Sequence, residues 1–180
     1  MDPSRNRGGG ELTYGAGQLN PERAREPGLV YDARVGDYMR MLCAQGYNST
    51  QLRLVTGSDV ATPCRHGRRE GSAGDLNYPT MAVHAVPGKN FSTHFPRTVT
   101  NVGVPVSVYV AKIVVSRPGL LSVAVSPKRL AFGRLHQKMS FTVTVSGALP
   151  EANEFLSAAI VWSDGDRQVR SPVIVHTVDV

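Results

Sequence analysis

The chain has 180 residues, a mass of 19.4 kDa and a hydrophobic fraction of 41%, enough for one good-sized core or a small domain with an appendage. No apolar run approaches the roughly 20 residues that a membrane-spanning helix needs. The net charge of +6 is scattered, with ten basic and eight acidic residues before Asp75 and ten and six from there on. A nucleic-acid surface would want a basic stripe on one element; the single cluster, Arg65, Arg68 and Arg69 around His66, stands in a Gly-rich loop.

Met1 is followed by DPSRNRGGG, polar where a secretory signal carries its apolar segment, so no signal peptide is expected at this start. Met1 to Leu12 reads as flexible. Asn20 followed by Pro21 marks the start of a short helical turn, which Pro27-Gly28 ends. Val35, Tyr38, Met39 and Leu42 fall at i, i+3, i+4 and i+7, one face of a helix near residues 34–45, and Gly46 supplies its left-handed stop. Ser49 is expected to cap a second helix near 50–56 that carries Leu52 and Val55 and ends at Gly57. Cys43 lies in the last turn of the first helix and Cys64 follows the second. They lack CxxC spacing and an accompanying His pair, which argues against zinc. A disulfide between Cys43 and Cys64 is the expectation in an oxidising compartment, with a loop-closure contribution on the order of 3 kcal/mol. Asn48-Ser49-Thr50 and Asn90-Phe91-Ser92 are N-x-S/T triplets, so Asn48 and Asn90 are candidate glycosylation sites that point to the same compartment. RHGRREGSAG, from Arg65 to Gly74, reads as a linker and sets the expected boundary between a segment 1–74 and a domain 75–180.

Beyond Asp75 the hydrophobic period switches to two. Leu121, Val123 and Val125 alternate with Ser122, Ala124 and Ser126; Phe141, Val143 and Val145 alternate with polar residues. The segment Phe155 to Trp162 is apolar on both faces, as a central strand would be. Asp164-Gly165 then turns it into the last strand. With segments near 78–84, 91–101, 106–115, 120–126 and 129–132, about eight strands are expected at loop lengths too short for helical crossovers. The predicted fold class is mainly β, an antiparallel β-sandwich.

No catalytic constellation stands out. Glu70-Gly71-Ser72-Ala73-Gly74 lacks the first glycine and the preceding strand of a nucleophile elbow. His66, His84, His94, His136 and His176 are dispersed singly, and each reads as a surface or satisfied core residue. No metal site or cofactor is expected, since no ligands recur at i, i+2 or i, i+4 with a third nearby. Asp164 and Asp166 flank a turn glycine and are explained by the turn. Trp162 reads as core, with sugar stacking the lesser possibility. Gly15-Ala16-Gly17 lacks the rest of a phosphate loop.

Taken in order, GAGQLNP at Gly15–Pro21, PGLVYD at Pro27–Asp32, DYMRMLCAQGYN at Asp37–Asn48, DLNYPT at Asp75–Thr80, RTVTNVG at Arg97–Gly103 and VWSDGDRQVRSPVIV at Val161–Val175 resemble the C-terminal part of a plant subtilisin-like serine protease of the cucumisin type. The resemblance covers nearly the whole chain. It implies a fibronectin type III-like antiparallel β-sandwich over 75–180, preceded over 1–74 by a loop and helical remnant of the subtilisin-type α/β catalytic domain. The parent family cleaves peptide bonds with a Ser nucleophile, a His base and an orienting Asp. Its catalytic motifs lie N-terminal to GAG-x-x-NP and have no counterpart here, so this chain is expected to begin after the nucleophile and to be inactive by itself. Gln18 stands where many relatives have His. The implied partners are the rest of the catalytic domain, and through it a peptide or protein substrate; neither nucleic acid nor membrane is implied, and a homodimer is left open. The implied location of the parent is extracellular, in the apoplast or cell wall. The rival expectation is a stand-alone secreted module that binds protein or carbohydrate through its loops or Trp162.

Overall fold

The computed structural model of the chain describes residues 15–57, 64, 71–149 and 155–177. The basic cluster at Arg65–Arg69 and the glycine-rich start lie outside them. Packing divides the described residues into two compact units, one made of those up to Tyr31 together with those from Pro79 onward, the other of those within Asp32–Tyr78.

The first unit is a β-sandwich. Its strands are β1 (Leu29–Val30), β2 (Met81–His84), β3 (Asn90–Asn101), β4 (Ser107–Val115), β5 (Leu121–Ser126), β6 (Arg129–Phe132), β7 (Lys138–Ala148), β8 (Phe155–Ser163) and β9 (Gln168–His176). They form a four-stranded sheet in the order β1-β3-β7-β5 and a five-stranded sheet in the order β2-β9-β8-β4-β6. Alternation decides which side chains go inward: Leu121, Val123 and Val125 of β5 are buried and the residues between them exposed. The two inner faces close on one core that includes Phe95, Val99, Tyr109, Leu130, Phe141, Val143, Ile160, Trp162 and Val173. Phe141 meets Trp162 edge to face at 4.9 Å between ring centres, an arrangement that aromatic quadrupoles favour. As its doubly apolar pattern requires, β8 is central in its sheet, between β9 and β4.

Two features depart from the sequence expectation. One pair is parallel rather than antiparallel: β2 runs alongside β9 in the register Met81↔Val173 to His84↔His176. Parallel neighbours need a long connection, and here nearly the whole sandwich lies between them. The second is β1, a two-residue strand that pairs Leu29 with Asn101 and Val30 with Thr100 and so draws the segment before Asp32 into the sandwich unit.

Among the described residues the second unit carries two α-helices. A four-residue turn of helix, α1 (Pro21–Ala24), belongs to the sandwich unit; α2 (Val35–Ala44) and α3 (Ser49–Thr56) belong to the second. The cap of α3 is Asn48 rather than Ser49. Its Oδ1 accepts from the Gln51 N–H and the Gln51 Oε1 accepts from the Asn48 N–H, both at 2.9 Å, a reciprocal box that Ser49, one residue into the helix, is too late to form. Gly57 ends α3 in the left-handed conformation, and Gly46 turns the chain after α2 with φ 98°. Cys43 and Cys64 are joined by a disulfide with Cα atoms 5.4 Å apart. The Asn77 side chain donates to the Asp32 carbonyl at 3.0 Å and ties the two ends of the unit. Of the apolar face expected on α2, Met39 is buried, whereas Val35 is 68% and Tyr38 43% exposed.

Candidate functional site

Three sequence motifs meet in the sandwich unit. On β3, Arg97 and Val99 follow Phe95 on the inner face, so alternation places a guanidinium among apolar side chains, only 3% exposed. Its Nη1 donates to the Pro96 carbonyl at 2.9 Å, and its charge lies 5.3 Å from the centre of the Phe95 ring. Nearby, the Tyr31 and Ser171 hydroxyls share a 2.6 Å hydrogen bond. Burial pushes the Tyr31 phenol up; the Ser171 bond and the Arg97 charge oppose it.

At the end of β3 the fully buried Asn101 organises the turn. Its Nδ2 donates to the carbonyls of Val104 (2.8 Å) and Pro105 (3.3 Å), and its Oδ1 accepts from the Gly103 N–H at 3.0 Å. The turn brings Gly103 against Gly28: a Cβ on Gly103 would lie 3.1 Å from the Gly28 Cα. A Cβ on Gly28 would come within 2.5 Å of the Tyr109 hydroxyl, and Gly28 also has φ +83°, so glycine is required there twice over.

The turn from β8 to β9 completes the corner. The Asp164 Oδ1 accepts from the backbone N–H of Asp166 (3.0 Å) and of Arg167 (2.6 Å), while Gly165 takes φ +105°. Arg167 reaches the Asp164 carboxylate at 3.5 Å and Glu26 at 3.3 Å, and Arg23 donates to the Asp166 carbonyl at 3.0 Å. Tyr109 is fully buried, its hydroxyl without a partner in hydrogen-bonding geometry but within electrostatic reach of Asp164. Burial first, and then the Asp164 carboxylate, push the phenol up to about 12. For Asp164, burial acts upward, but the N–H of Arg167, the Tyr109 hydroxyl, the N–H of Asp166 and the Arg167 charge hold the carboxyl below its ordinary value. A pocket of about 430 Å³ opens beside this corner, lined by charged residues of both signs, among them Arg23, Glu26, Asp166 and Arg167. The corner pins the strap that runs through Gly28 to the sandwich; it has no nucleophile paired with a base.

The remaining residues singled out in the sequence fall elsewhere. Asn48 and Asn90 are both exposed, the first capping α3 and the second opening β3. Ser72 caps a single 3-10 turn at Ala73–Asp75, its N–H donating to Asp75 at 2.7 Å. Trp162 is wholly buried and presents no face to a sugar. Asp164 and Asp166 serve the turn. His94 pairs with Thr144 at 3.0 Å. His84 and His176, which look isolated in sequence, stand directly opposite each other on β2 and β9 with ring centres 5.2 Å apart. No spacing rule finds them, because the signal is a pairing between the first and last strands of one sheet. Among the described residues no group of three or more His, Cys, Asp or Glu is placed to hold a metal ion.

With this geometry in view, a family profile for the fibronectin type-III domain matches residues 75–175. Subtilisin-like protease SBT4.3 of Arabidopsis thaliana is 43% identical over 168 residues, 93% of this chain and 22% of that protein. Subtilisin-like protease SBT4.6 of the same plant is 43% identical over 166 residues, 92% of this chain and 22% of that protein. The chain thus spans 22% of the length of the curated relatives it matches here. Among solved structures, the ASH / PapD-like domain of human CEP192 aligns with 57% of this chain and 82% of that one, at a TM-score of 0.36 and 10% identity.

Proposed function

The chain belongs over residues 75–175 to the fibronectin type-III domain family, and from that premise we propose that it is the non-catalytic C-terminal segment of a secreted subtilisin-like serine endopeptidase, contributing the sandwich scaffold. The observation that carries this is the match to subtilisin-like proteases over 93% of the chain but only 22% of the relative. The nucleophile, its base and the orienting carboxylate then come from the rest of the longer protein, and peptide-bond hydrolysis belongs to that whole. The second unit fits such a role. Val35 and Tyr38 on α2 and Leu54 and Val55 on α3 expose 68%, 43%, 82% and 63% of their surface, an apolar presentation that a neighbouring catalytic domain would cover.

Export is supported by the Cys43–Cys64 bridge together with two exposed acceptor asparagines, Asn48 and Asn90. In Asn48 the capping atom is Oδ1 while a glycan attaches through Nδ2, so the cap and the sugar use different atoms. The rival, a free-standing module that binds protein or carbohydrate through its loops or Trp162, loses Trp162 as an anchor and is left with its loops.

The test uses the purified 180-residue chain with a fluorophosphonate probe for reactive serines and a labelled protein substrate. No labelling and no turnover are expected. Labelling of any serine, with turnover that the probe abolishes, would overturn the assignment.

A further inference from the structure

We propose that His84 and His176 form a two-imidazole chelating site for a divalent cation of the zinc, nickel and copper class. Both lie at the ends of their strands, in the last rung of the parallel β2–β9 ladder. Met81 and Val83 on β2, and Val173 and Val175 on β9, are buried in the core. Alternation therefore sends His84 and His176 to the opposite, outer face of the sheet, next to each other. His84 is exposed and His176 partly so, which leaves the pair open to an ion arriving from solvent.

The separation suits shared coordination. Two imidazoles bound to one tetrahedral ion at about 2.0–2.1 Å through nitrogen have ring centres about 5 Å apart. The ring centres here are 5.2 Å apart and the planes are inclined by 52°, so the rings are splayed rather than stacked. The backbone is already fixed: the ladder holds both Cα atoms, and the Ala85 N–H continues it to the His176 carbonyl at 2.8 Å. On the far side of His176 its partner on β8 is Phe155, which is half exposed and apolar and offers no competing ligand. Neutral imidazole selects zinc, nickel and copper over calcium and magnesium, which prefer oxygen. With two protein ligands, water or a further group fills the other positions. A bound ion bridges the edge strand β2 to β9 and stabilises the sandwich by mass action, since an unfolded chain does not hold the two rings together.

The 180-residue chain is titrated with Ni²⁺, Cu²⁺ and Zn²⁺, with Mg²⁺ as the negative control, and read by calorimetry and by the thermal midpoint. The transition ions are expected to bind at one site and raise the midpoint, and Mg²⁺ to do neither. His84→Asn and His176→Asn are each expected to weaken binding by about a hundredfold, the gain that two tethered ligands give over one. A variant with Asn in place of His66, His94 and His136 should bind as the parent does. A measurement on the unsubstituted chain guards against misfolded variants: diethyl pyrocarbonate labelling, mapped by mass spectrometry, should lose His84 and His176 together when Zn²⁺ is present. No binding at millimolar ion, binding that survives both substitutions, or zinc protection of other histidines instead would overturn the proposal.

Discussion

Tyr109 and Asp164 show how one corner of the sandwich couples packing to charge. The phenol is wholly buried beneath Gly28 and Gly103, and both burial and the neighbouring carboxylate favour its neutral form. Its folded value near 12 exceeds the ordinary value of 10.0, so between these limits the unfolded chain releases a proton that the folded chain keeps. The sign follows: this contribution is complete below about pH 10 and is lost as the pH rises toward about 12. Tyr31 acts in the same direction through burial. Urea unfolding at mildly alkaline pH and again above pH 10 should show the parent chain losing stability across that range and Tyr109→Phe losing less of it. At neutral pH the substitution should cost about 1 kcal/mol or less, because the hydroxyl it removes reaches Asp164 without good hydrogen-bonding geometry. Equal alkaline losses in the two chains would show that Tyr109 is not held neutral.

At the scale of strands, β7 is the member that cannot be altered freely, since it pairs with β3 on one side and β5 on the other. Gly147 sits opposite Phe91 and Leu121, and a Cβ there would fall 2.1 Å from the Leu120 carbonyl oxygen, a backbone atom already accepting from the Ala148 N–H. Gly147→Ala should therefore lower the urea midpoint by the equivalent of about 3 kcal/mol, with the slope unchanged. Gly119→Ala, where nothing lies within 4 Å, should stay within about 0.5 kcal/mol. A parent-like midpoint for Gly147→Ala would mean that β5 does not close on β7 in this register. The same strands show what the sequence makes legible. Strict alternation announces β5 and β7, and a doubly apolar run announces β8 as central. Two residues are too few to show a period, so β1 at Leu29–Val30 is silent. The parallel partnership of β2 and β9 is silent too, because register between the two ends of a domain leaves no local trace, and the approach of His84 to His176 is hidden with it. The corner around Gly28 is half legible: PGLVYD, RTVTNVG and SDGDRQVR stand out as motifs, but only the fold shows that Gly28, Gly103 and Asp164 serve one tyrosine.

For the whole molecule the two units differ in what holds them. The sandwich has a large core around Trp162, the single tryptophan of the chain. Among the described residues of Asp32–Tyr78 only Met39 and Leu52 are buried, and α2 and α3 span ten and eight residues. Helices that short are marginal on their own, so in the isolated chain this unit depends on the Cys43–Cys64 bridge, worth about 3 kcal/mol for its loop length. In a longer subtilisin-like protein the exposed residues of α2 and α3 would gain a covering surface and the dependence would ease. Urea unfolding of the 180-residue chain, oxidised and reduced, followed by Trp162 emission and by far-ultraviolet helical dichroism, separates the two units. Reduction should shift the helical transition to lower urea by the equivalent of about 3 kcal/mol or abolish it, while the tryptophan transition, reporting the sandwich alone, stays in place. Coincident shifts of both probes would instead show that the units unfold as one body, and that the bridge stabilises the sandwich as well.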